Sequence, residues 1–179
     1  MNRKVFLRTI MVAAMIAFLA GSATVGNAQK FPDHPMTMIV AWGAGGGTDA
    51  VARTIAMLME KDLGQPVNVV NRTGGSGAVG HTAAATAKAD GYTMALTTAE
   101  ITMMHWMGLA QVNYKDMKGV SLVNFDPGSV TVRMDAPWRT LKELEDYVRA
   151  NPGKLKASGT GKGGSWDLAR AGWLKMSGI

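Results

Sequence analysis

The chain has 179 residues, of which 47% are hydrophobic and 18% charged, with no cysteine and a formal net charge of +6. This apolar content is too high for a disordered chain. The lack of cysteine excludes disulfide scaffolds, Cys-ligated zinc, thiolate-held iron–sulfur clusters and cysteine nucleophiles. The length predicts one domain with part of another.

The first 28 residues have the pattern of a secretory signal peptide. Arg3, Lys4 and Arg8 give a basic start without any acid, residues 9–20 form an unbroken apolar run, and small residues end at Ala28. An apolar run of about 12 residues falls short of the roughly 20 that span a bilayer. We therefore expect an exported, periplasmic protein, cleaved after about Ala28 and not inserted stably in the membrane afterwards.

The basic net charge comes largely from this segment. Its removal lowers the charge to +3, because it carries three basic residues and no acidic one. The remaining basic residues are scattered, whereas a surface that follows a phosphate backbone needs them clustered. We therefore expect no nucleic-acid partner.

Strand and helix patterns alternate after the signal. Short apolar runs at 36–42, 67–70 and 92–96 predict strands, and helical patterns begin near residue 48 and at 78–88. The connections are short and rich in glycine. This order predicts an α/β unit with a parallel sheet and right-handed crossovers.

A second grouping of elements begins after about residue 112. Its predicted elements are strands at 120–123, 129–132 and 155–158 and helices at 140–150 and from Ser165 onward. Thr140 and Glu143 form a capping box at the start of the first of these helices. No strand follows the last helix, so we expect an incomplete unit. The expected division is a signal peptide at 1–28, a partial first α/β lobe at 29–112 and the start of a second lobe at 113–179.

Three glycine-rich turns, at 43–47, 71–77 and 159–164, each follow a predicted strand and open a helix. The backbone N–H groups and the positive dipole end of such a helix attract anions, either phosphate or carboxylate. Glycine lets the backbone approach a ligand closely. In an open α/β sheet, loops at the carboxyl ends of the strands line the ligand crevice.

The segment Gly75–Gly80 also matches the dinucleotide pattern G-x-G-x-x-G. A dinucleotide site needs an acid about 20 residues further on, but Asp90 comes too soon and Glu100 lies beyond the next strand. Ser76 and His81 are the nearest hydroxyl–imidazole pair, without an acid to orient them, and His81 more simply packs on its helix. An exported nucleotide-binding protein or enzyme using this loop is the alternative to binding without chemistry, which we favour.

Several polar residues have two readings each. Asp49, with Arg53 one turn later, either caps the first helix or orients a ligand. Thr97 and Thr98 end a strand, where they either donate to a carboxylate or cap the next helix, and Ser165 has the same two roles. The three histidines lie far apart in the sequence, so we expect no metal site and no cofactor.

The order and spacing of the segments 31–35, 39–53, 63–80, 88–98 and 151–169 resemble those of the Bug-type periplasmic receptors of tripartite tricarboxylate transporters. The resemblance covers essentially all of the chain after the signal. It implies a two-lobed fold of the periplasmic-binding-protein kind. It also implies a solute-binding receptor, not an enzyme, that binds a small organic carboxylate in the cleft between its lobes and works with membrane transporter subunits.

The resemblance implies four ligand loops: residues 43–49, 73–77 and 97–98 of the first lobe, and 158–165 of the second. The candidate ligand-binding residues are Gly45, Gly46, Thr48, Asp49, Gly75, Ser76, Thr97, Thr98, Ser158, Thr160 and Ser165.

The chain also departs from the family pattern. Trp42 stands where many members have Phe, and Lys162 makes the last ligand loop more basic than usual. Members of the family continue for well over a hundred further residues. The resemblance therefore implies a truncated version of the fold, and a truncated fragment that does not bind ligand is a further alternative.

Overall fold

The computed structural model describes residue 11 and residues 30–179. The signal peptide expected at 1–28 lies, apart from Met11, outside the described residues. Residues His34–Ile179 form one compact unit, to which all of the elements below belong. None of the helices within the described residues has the length and apolar character that a membrane crossing requires.

A three-stranded parallel sheet forms the centre of this unit. Its strands are β1, Met36–Val40, β2, Val67–Asn71, and β3, Thr93–Leu96, and they lie in the order β2-β1-β3. In the register of the sheet, Met38 of β1 lies opposite Val69 of β2 and Met94 of β3. The predicted strands and the parallel sheet are confirmed, although β1 ends two residues earlier than its apolar run.

Four α-helices accompany the sheet within the described residues. They are α1, Gly47–Leu63; α2, Ala78–Ala85; α3, Leu141–Ala150; and α4, Ser165–Ser177. Short 3-10 segments lie at Gly75–Gly77, Ala99–Thr102 and Tyr114–Asp116.

Helices α1 and α2 cover opposite faces of the sheet. Met38 and Val40 of β1 are buried in one cluster with Ala52 and Ala56 of α1. Ala41, just beyond β1 and on the other face, lies against α2. The order β2-β1-β3 with helices on both faces defines a doubly wound sheet, whose ligand crevice is expected at the carboxyl ends of β1 and β3.

Helices α3 and α4 begin where the sequence predicts. The hydroxyl of Thr140 accepts the backbone N–H of Glu143, whose carboxylate accepts the N–H of Thr140, so the predicted capping box is confirmed. Oε1 of Glu145 then joins the two helices, accepting Nε1–H of Trp173 at 2.7 Å and the hydroxyl of Ser177 at 2.8 Å.

The strands expected at 120–123, 129–132 and 155–158 are wrong: these segments are irregular. A strand requires a neighbouring strand for its backbone N–H and C=O groups, and the structure pairs none of the three segments with another strand within the described residues. The apolar side chains that suggested strands are largely exposed, Val120 at 96% and Leu122 at 83%.

A substitution at Gly80 tests how closely α2 packs on the sheet. A Cβ at Gly80 would lie 2.5 Å from Cα of Ala41 and 2.6 Å from the carbonyl oxygen of Arg72. We expect Gly80→Ala to lower the free energy of unfolding by about 1–3 kcal/mol, because overpacking against backbone outweighs the gain in helix propensity, about 1 kcal/mol. Gly172→Ala in α4 is the matched control, since its Cβ would meet nothing within 4 Å. Urea unfolding measures both changes, and equal effects would contradict the packing argument.

Candidate functional site

The loop between β1 and α1 is organised by the carboxylate of Asp49. Asp49 is only 2% exposed, and its Oδ2 accepts the backbone N–H of Gly45 at 2.9 Å. This bond holds Gly45 at φ +81°, in the left-handed region that favours glycine. The N-cap of α1 is Gly46, so the expected N-cap role of Asp49 is wrong: the carboxylate reaches back from the first turn instead.

Asp49 also joins the ends of three elements. Nε and Nη2 of Arg53 donate to its two oxygens at 2.9 and 3.0 Å, which confirms the expected pairing one turn later. Nδ2 of Asn71, at the end of β2, donates to Oδ1 of Asp49 at 2.8 Å and to the carbonyl of Trp42 at 2.9 Å. The Arg53 guanidinium, followed by the Gly45 N–H and the Asn71 amide, holds the pKa of Asp49 far below its ordinary value.

The second turn has four successive residues with positive φ, from Gly74 to Gly77. Ser76 is the only one with a side chain, and its hydroxyl donates to the carbonyl of Lys162 at 3.0 Å. A Cβ at Gly77 would lie 3.1 Å from Nδ1 of His81 and 3.4 Å from the ring of Trp42. The glycines of Gly75–Gly80 thus serve a tight turn and close packing, and they bring the 73–77 turn against the 158–165 loop.

His81 is 1% exposed and bonded at both ring nitrogens. Nδ1 lies 2.7 Å from the carbonyl of Gly77, and Nε2 lies 3.2 Å from the backbone N of Thr98. A carbonyl only accepts and a backbone N–H only donates, so we assign the neutral ring with its proton on Nδ1. Burial lowers the pKa of His81 below its usual 6.5, and the Gly77 carbonyl and Glu100 carboxylate oppose that shift only in part.

Glu100 connects the end of β3 to the start of α4. It is 3% exposed, and its Oε1 accepts both the backbone N–H of Ser165, at 3.0 Å, and the Ser165 hydroxyl. Its Oε2 accepts the hydroxyl of Thr98 at 2.6 Å, and that hydroxyl accepts Nε1–H of Trp42 at 3.0 Å. Burial alone would raise the pKa of Glu100, but the donors from Ser165 and Thr98 outweigh burial and lower the pKa. The carboxylate is therefore ionised at neutral pH.

The loop before α4 repeats the loop before α1. Both have the sequence G-x-G-G-x-x-D, at 43–49 and 161–167. In the second copy, Oδ2 of Asp167 accepts the N–H of Gly163 at 3.0 Å, and Gly163 has φ +84°. Gly164 is the N-cap with φ −77° and ψ 164°, against −76° and 169° for Gly46. The two copies therefore build the same loop at the start of a helix.

The two copies differ in what lies at their first helical residue. Ser165, the first residue of α4, is bound by the Glu100 carboxylate. Gly47, the first residue of α1, is exposed, and the space where its Cβ would stand is open to 4 Å. The 161–167 loop is therefore filled by the Glu100 carboxylate, and the 43–49 loop is accessible to solvent.

The structure places the expected site residues in two groups. Ser76 meets the 158–165 loop directly, and Thr98 meets Ser165 through Glu100. Thr97 and Ser158 are exposed side chains without such contacts in the structure. Oγ1 of Thr160 is buried and has no hydrogen-bond partner among the described residues.

Two functional residues were missed by reasoning from the sequence. Asn71 bridges Trp42 and Asp49, and Glu100 was considered only as the acid of a dinucleotide site, for which it lies too far along the chain. A polar residue at the carboxyl end of a predicted strand, before a glycine turn, was the available signal for Asn71. No group of three or more His, Asp or Glu side chains within residue 11 and residues 30–179 could hold a metal ion.

Comparison with known proteins identifies the class of protein. A solute-binding protein from Polaromonas, of the TctC kind and solved without ligand, is 35% identical with a TM-score of 0.60, over 83% of this chain and 51% of that one. MatC from Rhodopseudomonas palustris, solved with bound malate, is 28% identical with a TM-score of 0.70, over 83% and 52%. The fold is thus that of periplasmic solute-binding proteins, which are not enzymes.

The chain belongs to the tripartite tricarboxylate transporter receptor family, whose model matches residues 51–178. The protein BugT of Bordetella pertussis is 33% identical over 152 residues, which are 83% of this chain and 47% of that protein. The resemblance deduced from the sequence is confirmed. The chain spans about half the length of the curated relatives it matches.

The two copies of the loop offer a matched test of the buried carboxylate. We expect Asp49→Asn to lower the melting temperature by several degrees, because the neutral amide loses the charge-assisted bonds from Arg53 and cannot match all of the donors. Asp167→Asn in the second copy is the control, with a smaller expected loss, since the side chain of Asp167 is 22% exposed against 3% for Asp49. Thermal unfolding by circular dichroism measures both. A larger loss from Asp167→Asn would contradict this ranking.

Burial of neutral His81 predicts a pH dependence. Because its pKa in the folded protein lies below 6.5, the unfolded chain binds more protons as the pH falls below that value. We therefore expect the free energy of unfolding to decrease as the pH is lowered from 6.5 to the folded-state pKa of His81. We also expect the His81 ring to titrate below 6.5 when it is followed by NMR. His105→Gln is the control that should keep this dependence. Titration of His81 at or above 6.5 would refute the assignment.

Proposed function

We propose that the chain serves as a periplasmic receptor that takes a small organic carboxylate at the 43–49 loop and delivers it to membrane transporter subunits. The observation that carries this proposal is the repeated loop. In the copy at 161–167, the first helical N–H holds a carboxylate, that of Glu100. The same backbone geometry at Gly47 stands open to solvent. A ligand carboxylate at Gly47 would take the place that Glu100 takes at Ser165.

The local electrostatics support an anion at this loop. The N-terminus of α1 carries the positive end of a 17-residue helix dipole. Asp49 does not oppose the anion strongly, because its charge is paired with Arg53 and both of its oxygens are engaged. We therefore assign Gly46, Gly47 and Thr48 to ligand contact and Asp49 to support of the loop.

Two of the other expected site residues lie close to the same place. Ser76 and Thr98 lie at the neighbouring loops, at the carboxyl ends of the strands where a doubly wound sheet binds ligands. The malate in the MatC structure supports a carboxylate as the ligand class. We also propose the signal peptide at 1–28, cleaved after about Ala28, and the division into lobes at 29–112 and 113–179.

A thermal-shift panel of mono-, di- and tricarboxylates tests this function. Binding to the native state alone stabilises it by about 2.7 kcal/mol at 100 times Kd, so we expect a rise of several degrees for at least one carboxylate. Thr48→Ala should weaken that binding roughly three- to tenfold, the value of one hydroxyl hydrogen bond. Thr54→Ala is the control, because its hydroxyl is exposed and donates to the carbonyl of Ala50 within α1.

Other outcomes of the panel distinguish the alternatives. A shift with ATP or NAD and none with carboxylates would favour the nucleotide-binding alternative at Gly75–Gly80. No shift with any carboxylate would favour the fragment that does not bind and would refute the proposal for this chain. If Thr48→Ala and Thr54→Ala weakened carboxylate binding equally, the assignment of the ligand to the 43–49 loop would be wrong.

A further inference from the structure

Glu100 holds the position of a ligand within the second loop. Its carboxylate receives the first backbone N–H of α4 and the Ser165 hydroxyl on one oxygen, and the Thr98 hydroxyl on the other. Two of these three groups belong to side chains that the sequence marked as ligand contacts. The donors that a ligand carboxylate would use at this end of the site are therefore already engaged by the protein itself.

The charge of Glu100 is not balanced by an opposite charge within the part of the chain that the structure describes. Among the described residues no basic side chain forms a salt bridge with Glu100, whereas the carboxylates of Asp49 and Asp167 are paired with Arg53 and Arg170. A second carboxylate at the 161–167 loop would meet this charge at close range in a buried setting, where like charges repel strongly. It would also have to take hydrogen bonds away from a carboxylate that is 3% exposed.

We infer that Glu100 is a specificity-determining residue: it fills the second of two carboxylate-binding loops and restricts the proposed receptor to ligands with one carboxylate. The ligand carboxylate then binds at the open 43–49 loop, and the opposite end of the ligand is neutral. This inference rests on the proposed function, since it divides the same site into an open and a filled half. The inference adds the ligand class to the proposed function: the receptor binds monocarboxylates in preference to dicarboxylates.

The first experiment asks whether the second loop recognises a carboxylate, independently of any natural ligand. Glu100→Ala removes four heavy atoms, the Cγ, the Cδ and two oxygens, which correspond to those of acetate. We expect Glu100→Ala to lower the melting temperature, and acetate to restore several degrees of it. Acetamide, the neutral analogue, should restore none, and acetate should raise the melting temperature of the wild-type protein less than that of Glu100→Ala.

Glu145→Ala is the matched control. Glu145, like Glu100, accepts from two side chains, here Trp173 and Ser177, but at the C-terminal end of α4, where the helix dipole disfavours an anion. Acetate should therefore not restore Glu145→Ala. Equal recovery of the two variants would overturn the inference. This result does not depend on the carboxylate panel with the wild-type protein, so a failure of the panel and a failure of this rescue experiment can be told apart.

The second experiment measures the preference between ligands and uses Glu100→Gln, which keeps the size of the side chain. Binding of butyrate and succinate, which share a four-carbon chain, is compared by calorimetry. Removal of the charge should shift the preference toward succinate by roughly tenfold or more, the effect of relieving one like-charge contact. An unchanged ratio of the two Kd values in Glu100→Gln would overturn the inference even if butyrate binds the wild-type protein. This variant also serves if Glu100→Ala does not fold.

Discussion

A carboxylate that is removed from water must be matched by hydrogen-bond donors, and this constraint organises the site. Burying an ion costs several kcal/mol unless donors or an opposite charge replace the lost water. Asp49 and Glu100 are 2% and 3% exposed, and each carboxylate accepts a backbone N–H at a helix start together with side-chain donors. The hydrogen bonds of these two carboxylates therefore stabilise the conformations of the 43–49 and 161–167 loops.

The glycines follow from this constraint. The N–H of Gly45 donates to Asp49 with Gly45 at φ +81°, and Gly163 donates to Asp167 at a similar φ of +84°, in the region that favours glycine. The next glycine, Gly46 or Gly164, is extended and becomes the N-cap of the helix. The sequence G-x-G-G-x-x-D thus uses its acid to support the turn and keeps its helix start free for another anion.

Local signals account for what the sequence predicted well. The strands β1, β2 and β3 are short apolar runs that end at glycine or polar residues, and α3 carries its own capping box in Thr140 and Glu143. The strands expected at 120–123, 129–132 and 155–158 failed because strand formation depends on a partner that local sequence does not reveal. Glu100 could not be assigned because its partner Ser165 lies 65 residues away. The repeated loop motif, by contrast, was visible in the sequence.

The two buried carboxylates differ in charge balance, and the proposed ligand selectivity rests on this difference. Asp49 is neutralised by Arg53, so the first loop presents a helix start without a net charge behind it. Among residues 30–179, the groups that hold Glu100 are the neutral donors of Ser165 and Thr98 and the dipole of α4. These groups stabilise the ionised carboxylate but do not cancel its charge. The site of the proposed function, with one open loop and one loop filled by a negative charge, is therefore electrostatically asymmetric, and it would orient a ligand with its carboxylate toward α1 and its neutral end toward Glu100.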